Sequence, residues 1–375
     1  MNDLTAAADD IDLPALRNLF LTFARLECGS EPLYDALCRI AADEPSLLRL
    51  LAVAAPPQRR PNLLLAAIHD LMLAGSTRAL AAYYPSVGGT RDADTALRET
   101  LLAFCAAERD ALIERIAQRT TQTNEIGRCA VLWPVLRELA VRSGRGDIAL
   151  LDFGCSAGLN LGVDRYRYDY GEFALGAIDA VDTPRIECRL VGAKRPSTAA
   201  PPRIEIVQRL GIDPAPIDVV DEREVRWLRA CIWPHDAVRH ARFELAVALA
   251  REQRWPVRTA ADCSAAVEEW VQQLPSEVLP VVFNSWVLTY LSADALATHL
   301  QRMASLVQER GMVWISAEGP WLRIGGARAP AVATDASAEH RAGSWWTVAM
   351  AGGDSPRYDV IARSHPHGRW LEWLA

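Results

Sequence analysis

Lysine is almost missing from this chain. Of 40 basic residues among 375, only Lys194 is a lysine, a bias we read as the base composition of a GC-rich gene. Acids outnumber bases and the net charge is −7, which argues against general electrostatic binding to nucleic acid. No run of about 18 apolar residues occurs, so no membrane-spanning helix is expected. The first twelve residues are acidic and alanine-rich. They lack the basic and apolar segments of a secretion signal, so a cytoplasmic protein is expected. The eight cysteines are scattered and include no Cys-x-x-Cys pair, the pattern of free thiols in a reducing compartment. No Cys/His cluster has zinc-ligand spacing. His365-Pro366-His367 is the one close histidine pair, and no metal is expected. The spacing Gly-x-Gly-x-x-Gly is also missing, which argues against a nicotinamide-dependent dehydrogenase.

What is present is a globular composition, 50% hydrophobic and 23% charged, on a length that holds one large or two ordinary domains. Residues 1–120 carry apolar residues at helical spacing. Helices are predicted over 13–28, 32–42, 46–54, 62–74 and 94–119, separated by Gly29-Ser30, Pro45, Pro56-Pro57, Gly75 and the Pro85–Gly89 stretch. The expectation is an all-helical N-terminal domain that packs on, or caps, a second domain at 121–375.

That second domain is organised by Ile148-Ala149-Leu150-Leu151-Asp152-Phe153-Gly154-Cys155-Ser156-Ala157-Gly158. An apolar run with two hydrophobic faces predicts a buried strand. The glycines let the backbone approach a ligand, and a helix predicted over 159–166 would offer free N–H groups at its start. Ahead of this strand, Thr123-Asn124-Glu125-Ile126-Gly127-Arg128 precedes a helix to about 142. Capping explains some of these residues, and Asn124, Glu125 and Arg128 are also candidates for a pocket wall. After the loop, Asp164 to Tyr170 holds three tyrosines and two arginines. These either line a pocket or pack a helix end. Further strands are predicted at 186–191, at 204–212 ending in Asp213, at 257–260 ending near Asp262, at 278–286 ending in Asn284-Ser285-Trp286, and at 312–316 before Glu318-Gly319. Two more follow at 345–350 and 358–362. His235, beside Asp236 at a helix junction, is a secondary acid–base candidate.

The element Leu151-Asp152-Phe153-Gly154-Cys155-Ser156-Ala157-Gly158 resembles motif I of the class I S-adenosylmethionine-dependent methyltransferases, with serine where the middle glycine is usual. The resemblance implies an α/β fold with a Rossmann-like, mostly parallel sheet, an antiparallel final strand and S-adenosyl-L-methionine as cofactor. It implies that Asp152, Gly154, Ser156 and Gly158 hold the methionine part, that Asp213 binds the ribose and Asp262 the adenine, with Asn160 also at the cofactor and Asn124 and Arg128 at the pocket wall. Asn284, Tyr166 and Arg165 would face a small-molecule acceptor, with His235 in reserve. Asp213 falls much further from Asp152 than the roughly 20 residues of the dinucleotide fold. Either 167–203 is an insertion, or the ribose acid is Glu187 or Asp179. The alternative is a non-catalytic S-adenosylmethionine- or nucleotide-binding module. More narrowly, Gln122-Thr123-Asn124-Glu125, Ser156-Ala157-Gly158-Leu159-Asn160, Gly211-Ile212-Asp213 and His365-Pro366-His367-Gly368 resemble a bacterial family labelled only as a domain of unknown function. That resemblance suggests a fold and a cofactor but no substrate and no oligomeric state.

Overall fold

The computed structural model describes residues 11–76, 78–201, 203–322, 324–326 and 343–375. The chain divides into two compact units, Met1–Thr123 with Val220–Ala241, and Asn124–Val219 with Arg242–Ala375.

The first unit is helical. Its helices are α1 Leu13–Leu26, α2 Pro32–Ala42, α3 Pro45–Leu48, α4 Pro61–Leu73, α5 Leu97–Ala107, α6 Arg109–Gln118 and, far on in sequence, Glu222–Ala230. Asp12 caps α1 by accepting the Ala15 N–H at 2.9 Å. The apolar α4 is the buried axis. Asp70, on α4, takes Arg115 from α6 at 2.7 Å and Arg226 at 2.9 Å. That second bond, with Trp227 Nε1 donating to Thr120 O at 2.9 Å, ties residues 220–241 to this unit, although sequence order places them inside the second domain. The single helix predicted over 94–119 is two helices that meet at Glu108, a break that no glycine or proline marks.

The second unit is a mixed α/β domain. Its strands are β1 Asp147–Phe153, β2 Arg167–Asp169, β3 Ala174–Gly176, β4 Arg185–Glu187, β5 Arg189–Val191, β6 Glu205–Asp213, β7 Val257–Thr259, β8 Leu279–Ser285, β9 Val313–Glu318, β10 Ser344–Met350, β11 Arg357–Ser364 and β12 Trp370–Trp373. Nine form one sheet in the order β5-β12-β11-β10-β9-β8-β1-β6-β7, and β3-β2-β4 form a small second sheet. The run β9-β8-β1-β6-β7 is parallel. The next pairs, β9–β10, β10–β11 and β11–β12, are antiparallel. The C-terminal segment thus adds a third strand, β12, to the two expected, and buries Trp370 and Trp373 in it. The strand predicted over 186–191 is divided at Cys188, whose N–H turns to Asp169 O, while Arg189 N–H turns to Arg369 O. One half therefore joins the small sheet and the other the main one. Residues 167–203 lie in the chain between β1 and its sheet neighbour β6 and hold β2 to β5.

The helix predicted over 159–166 does not form. Only a short 3-10 turn, Leu159–Gly162, follows the glycine loop. Side chains take the carbonyls that a helix would use: Tyr166 donates to Leu159 O, Arg209 to Leu161 O and Tyr168 to Val163 O. Tyr170 donates to Ala130 O. The tyrosine cluster is buried scaffolding.

The stretch Ile126–Arg128 meets the turn His365–Gly368. A methyl group built on Gly368, which sits at φ +71°, would lie 2.0 Å from Gly127 O, and one on Gly127 would lie 2.3 Å from His367 O. Two backbones pass where no side chain fits. Gly368→Ala is expected to destabilise the protein by at least about 2 kcal/mol, from left-handed strain plus the clash. Thermal and denaturant unfolding will check this, and an unchanged midpoint would remove the contact from the account.

Candidate functional site at the ends of β1, β8 and β9

From β1 the chain moves through β6 to β7 on one side, then returns to place β8 and β9 on the other. Open α/β sheets bind ligands outside the carboxyl ends of the strands where the order reverses. That point lies here between β1 and β8, where the glycine loop sits.

The loop hangs on β6. Gly154 N–H and Cys155 N–H both donate to Ile212 O, at 2.8 and 3.1 Å. Ser156 N–H donates to Asp213 Oδ2 at 2.9 Å, and Asp213 Oδ1 accepts the Ala215 N–H at 2.9 Å. Gly154 and Gly158 have φ of +73° and +68°, and a methyl group on either would strike Val287 or Val257. Ser156 holds φ +52° and Trp286, just after β8, φ +55°. Both occupy a region that side chains rarely enter, and strain of this kind gathers at ligand sites.

Under the loop lie buried polar groups. Asp152 is 3% exposed, and its Oδ2 has no hydrogen-bond partner. Burial, then the nearby charge of Asp213, pushes its carboxyl up to about 8, against smaller opposing effects of Arg128 and a hydrogen bond from Asn160. The Asn160 amide oxygen meets Cys129 Sγ at 3.3 Å. Ser156 Oγ, Ser285 Oγ, Glu318 Oε2 and both amide atoms of Asn124 are also buried without partners. Each such atom costs about 1–3 kcal/mol unless a water or ligand meets it. Arg128 donates from Nε to Pro366 O at 2.9 Å and from Nη1 to Ser285 O at 3.3 Å. Glu125 accepts the Gly127 N–H at 2.8 Å, pairs with Arg242, and lies 3.3 Å from His367 Nδ1.

Asp152, Gly154, Ser156, Gly158, Asn160, Asp213 and Arg128 therefore gather around the end of β1. Asp213, not Glu187 or Asp179, is the acid at the loop; the other two are exposed on the insertion. Asp262 has a different task. It caps the helix Cys263–Gln273 by accepting the Ala265 N–H at 2.9 Å, and its exposed side chain pairs with Arg302 at 3.3 Å. The backbone N–H bond holds its carboxyl below the usual range. Tyr166 is fully buried, with its hydroxyl spent on Leu159 O. Arg165 is exposed beside Asp164. His235 lies in the helical unit, where it pairs with Glu31. Asn284 is fully buried and internally engaged: its Nδ2 donates to Ser316 Oγ at 3.0 Å and Glu318 Oε1 at 2.8 Å, and its Oδ1 accepts Trp314 Nε1 at 2.7 Å.

The sequence reading gave no role to Ser285 or Glu318. An acid at the C-terminal end of a parallel strand was the available signal for Glu318. The pair His365 and His367 forms a turn, His367 N–H donating to His365 Nδ1 at 2.9 Å. Among the described residues no group of three or more His, Cys, Asp or Glu side chains is placed to hold a metal ion.

A family model described as "Uncharacterized protein conserved in bacteria (DUF2332)" matches residues 17–373. The chain belongs to that family. A search of curated proteins returns no match. The family match spans both the helical unit and the sheet, so the strand-end cluster and the Gly127–Gly368 crossing lie within the family's own extent.

Because burial raises the Asp152 carboxyl, the fold favours its neutral form. Its contribution to stability is complete below the unfolded value near ~3.9 and is lost as pH rises through about 8. Asp152→Asn is expected to unfold at nearly the wild-type temperature at pH 4 and, as pH rises from there to about 8, at a progressively higher temperature than the wild type, by several degrees at pH 9. Parallel pH curves for the two proteins would show that Asp152 is not the titrating group. Glu318, also raised by burial, acts in the same direction and leaves a residual slope.

Proposed function

We propose that the protein is a methyltransferase that uses S-adenosyl-L-methionine, bound on a Rossmann-like sheet at the β1–β8 switch point. The observation that carries this reading is the pair of unpartnered buried oxygens, Asp152 Oδ2 and Ser156 Oγ, in a two-glycine turn at that point. The donor set fits the group. Its ammonium and sulfonium are cationic, and Asp152 and Asp213 supply carboxylates where their binding offsets burial. Gly154 and Gly158 keep the loop backbone close, and Asp213 keeps lone pairs for a diol beyond its two backbone bonds. Asp262 retains only the exposed position after β7 from which to meet an adenine.

When bound, the cofactor supplies an already electrophilic methyl group. The chain's own residues then bind, orient and exclude water. Asn284 acts through others: it fixes Glu318 and Trp314, leaving the acceptor to the neighbouring Glu318. A small-molecule acceptor fits so enclosed a polar cluster. The eight free thiols support a cytoplasmic setting. Among the described residues no helix is long and apolar enough to cross a membrane.

A non-catalytic module that binds the same ligand is the second reading. It is favoured by the internal engagement of Tyr166 and Asn284, two of the residues first expected at the acceptor. Isothermal titration with S-adenosylmethionine tests the cofactor assignment. The wild type is expected to bind, and Asp152→Ala to bind at least ~10-fold more weakly, from one lost charged hydrogen bond. No binding at millimolar ligand would reject both readings. Binding without transfer to any extract would select the module.

A further inference from the structure

The cofactor assignment uses Asp152 Oδ2 and Ser156 Oγ. It leaves two other buried, unpartnered oxygens unexplained, Ser285 Oγ and Glu318 Oε2. They close adjacent strands, Ser285 β8 and Glu318 β9, but on opposite faces: Ser285 is in register with Ala317, whereas Glu318 shares the face of Asn284 and Ser316.

Glu318 is held in an unusual way. Its Oε1 accepts three donors, Asn284 Nδ2 at 2.8 Å, Val287 N–H at 3.0 Å and Leu288 N–H at 3.2 Å. One oxygen is thus saturated and fixes the carboxyl, while the other, on a residue only 2% exposed, has nothing to accept. The two backbone donors are available because the chain after β8 turns sharply at Trp286, at φ +55°. That turn is pinned by Trp286 N–H to Ala317 O at 3.0 Å and Trp286 Nε1 to Ser344 Oγ at 2.7 Å. Strain at Trp286 therefore aims N–H groups at one Glu318 oxygen. A carboxylate needed only for packing would spread its bonds over both oxygens. A carboxylate arranged to receive a proton at one oxygen would look as this one does.

We propose that Glu318 Oε2 is the proton acceptor on the acceptor side of the site, and that the methyl acceptor is an uncharged amine or alcohol with a transferable N–H or O–H proton. This rests on the methyltransferase reading. The step balances: the sulfur–methyl bond breaks, its electrons stay on sulfur to give a neutral thioether, a nitrogen–methyl or oxygen–methyl bond forms from the acceptor's lone pair, and the acceptor's proton passes to Glu318 Oε2. Anionic acceptors are disfavoured, since Asp152 and Glu318 already place two buried acids at these strand ends. The charged group that faces Glu318 is Arg128, from the turn before the helix Cys129–Ser143; Asn284 and the two backbone N–H groups are neutral. Burial raises the Glu318 carboxyl against their combined pull, in the direction that suits a base working near neutral pH.

The test uses the chain of residues 1–375 as wild type, Glu318→Gln and Glu318→Asp. Calorimetric titration with S-adenosylmethionine is expected to give affinities within about threefold of one another, since Glu318 lies outside the cofactor contacts. Transfer of labelled methyl to a panel of small amines, alcohols, thiols and carboxylates is expected to favour the first two. Glu318→Gln should lower transfer at least ~100-fold and abolish the rise of rate with pH, with partial return in Glu318→Asp. Infrared titration gives an activity-free readout: buried protonated carboxyl absorption that fades as pH rises and loses one component in Glu318→Gln, with the Asp152 component remaining. Unchanged transfer and pH profile in Glu318→Gln would overturn the proposal. So would preferred transfer to thiols or carboxylates, no transfer to any panel member despite bound cofactor, or an infrared titration identical in Glu318→Gln. Failure of the wild type to bind the cofactor would instead overturn the reading beneath it, and is told apart by the calorimetry alone.

Discussion

The Ser156 N–H to Asp213 carboxylate bond, 2.9 Å long, is the constraint on which the site depends. It holds a non-glycine residue at φ +52°, where left-handed geometry costs roughly 1–2 kcal/mol. With the two bonds from Gly154 and Cys155 to Ile212 O, it fastens the loop after β1 to the end of β6. Everything near the site follows from that attachment. The loop closes over Asp152, Asp152 loses solvent, and its carboxyl rises. The same fastening brings the charge of Asp213 toward Asp152 and raises it further.

The enclosure is asymmetric. On the insertion side Asp164 takes both guanidinium arms of Arg209, at 2.7 and 2.8 Å, and the three tyrosine hydroxyls each find a carbonyl. At the strand ends the pattern reverses. Asp152, Ser156, Ser285 and Glu318 each keep one unmatched buried oxygen. Unmatched buried atoms also lie elsewhere, Tyr34, Tyr84 and Trp270 among them, but these four oxygens, two of them carboxyl, come together around the point where the strand order reverses. That is the physical signature expected of a place for something else to bind.

The long, strongly patterned elements were legible. The buried strands β1 and β8, the helix at 32–42 and the Asp–Gly loop all follow from apolar runs, caps and glycines. Less was legible where side chains compete with backbone. The stretch 159–166 has helix-compatible residues, yet Tyr166, Tyr168 and Arg209 take its carbonyls. Arg209 arrives from β6, more than forty residues later, so no local pattern announces it. The run 186–191 is divided between two sheets for the same reason: Cys188 N–H bonds Asp169 O and Arg189 N–H bonds Arg369 O, partners from other segments. Asn284 and Tyr166 were chemically apt acceptor residues by type and place, but tertiary partners consume both.

The sequence by itself determined the long buried strands of the main sheet, where the glycines must fall and that Asp152 lies beside the loop, because these depend on neighbours within a few residues. Tertiary structure alone decided which acid reaches Ser156, that residues 220–241 belong with the helical unit, and that Glu318 offers one free oxygen. Those outcomes rest on hydrogen bonds and close backbone passages between residues tens to hundreds of positions apart. Such partners leave no periodicity in the chain, and only the closed sheet brings them within reach.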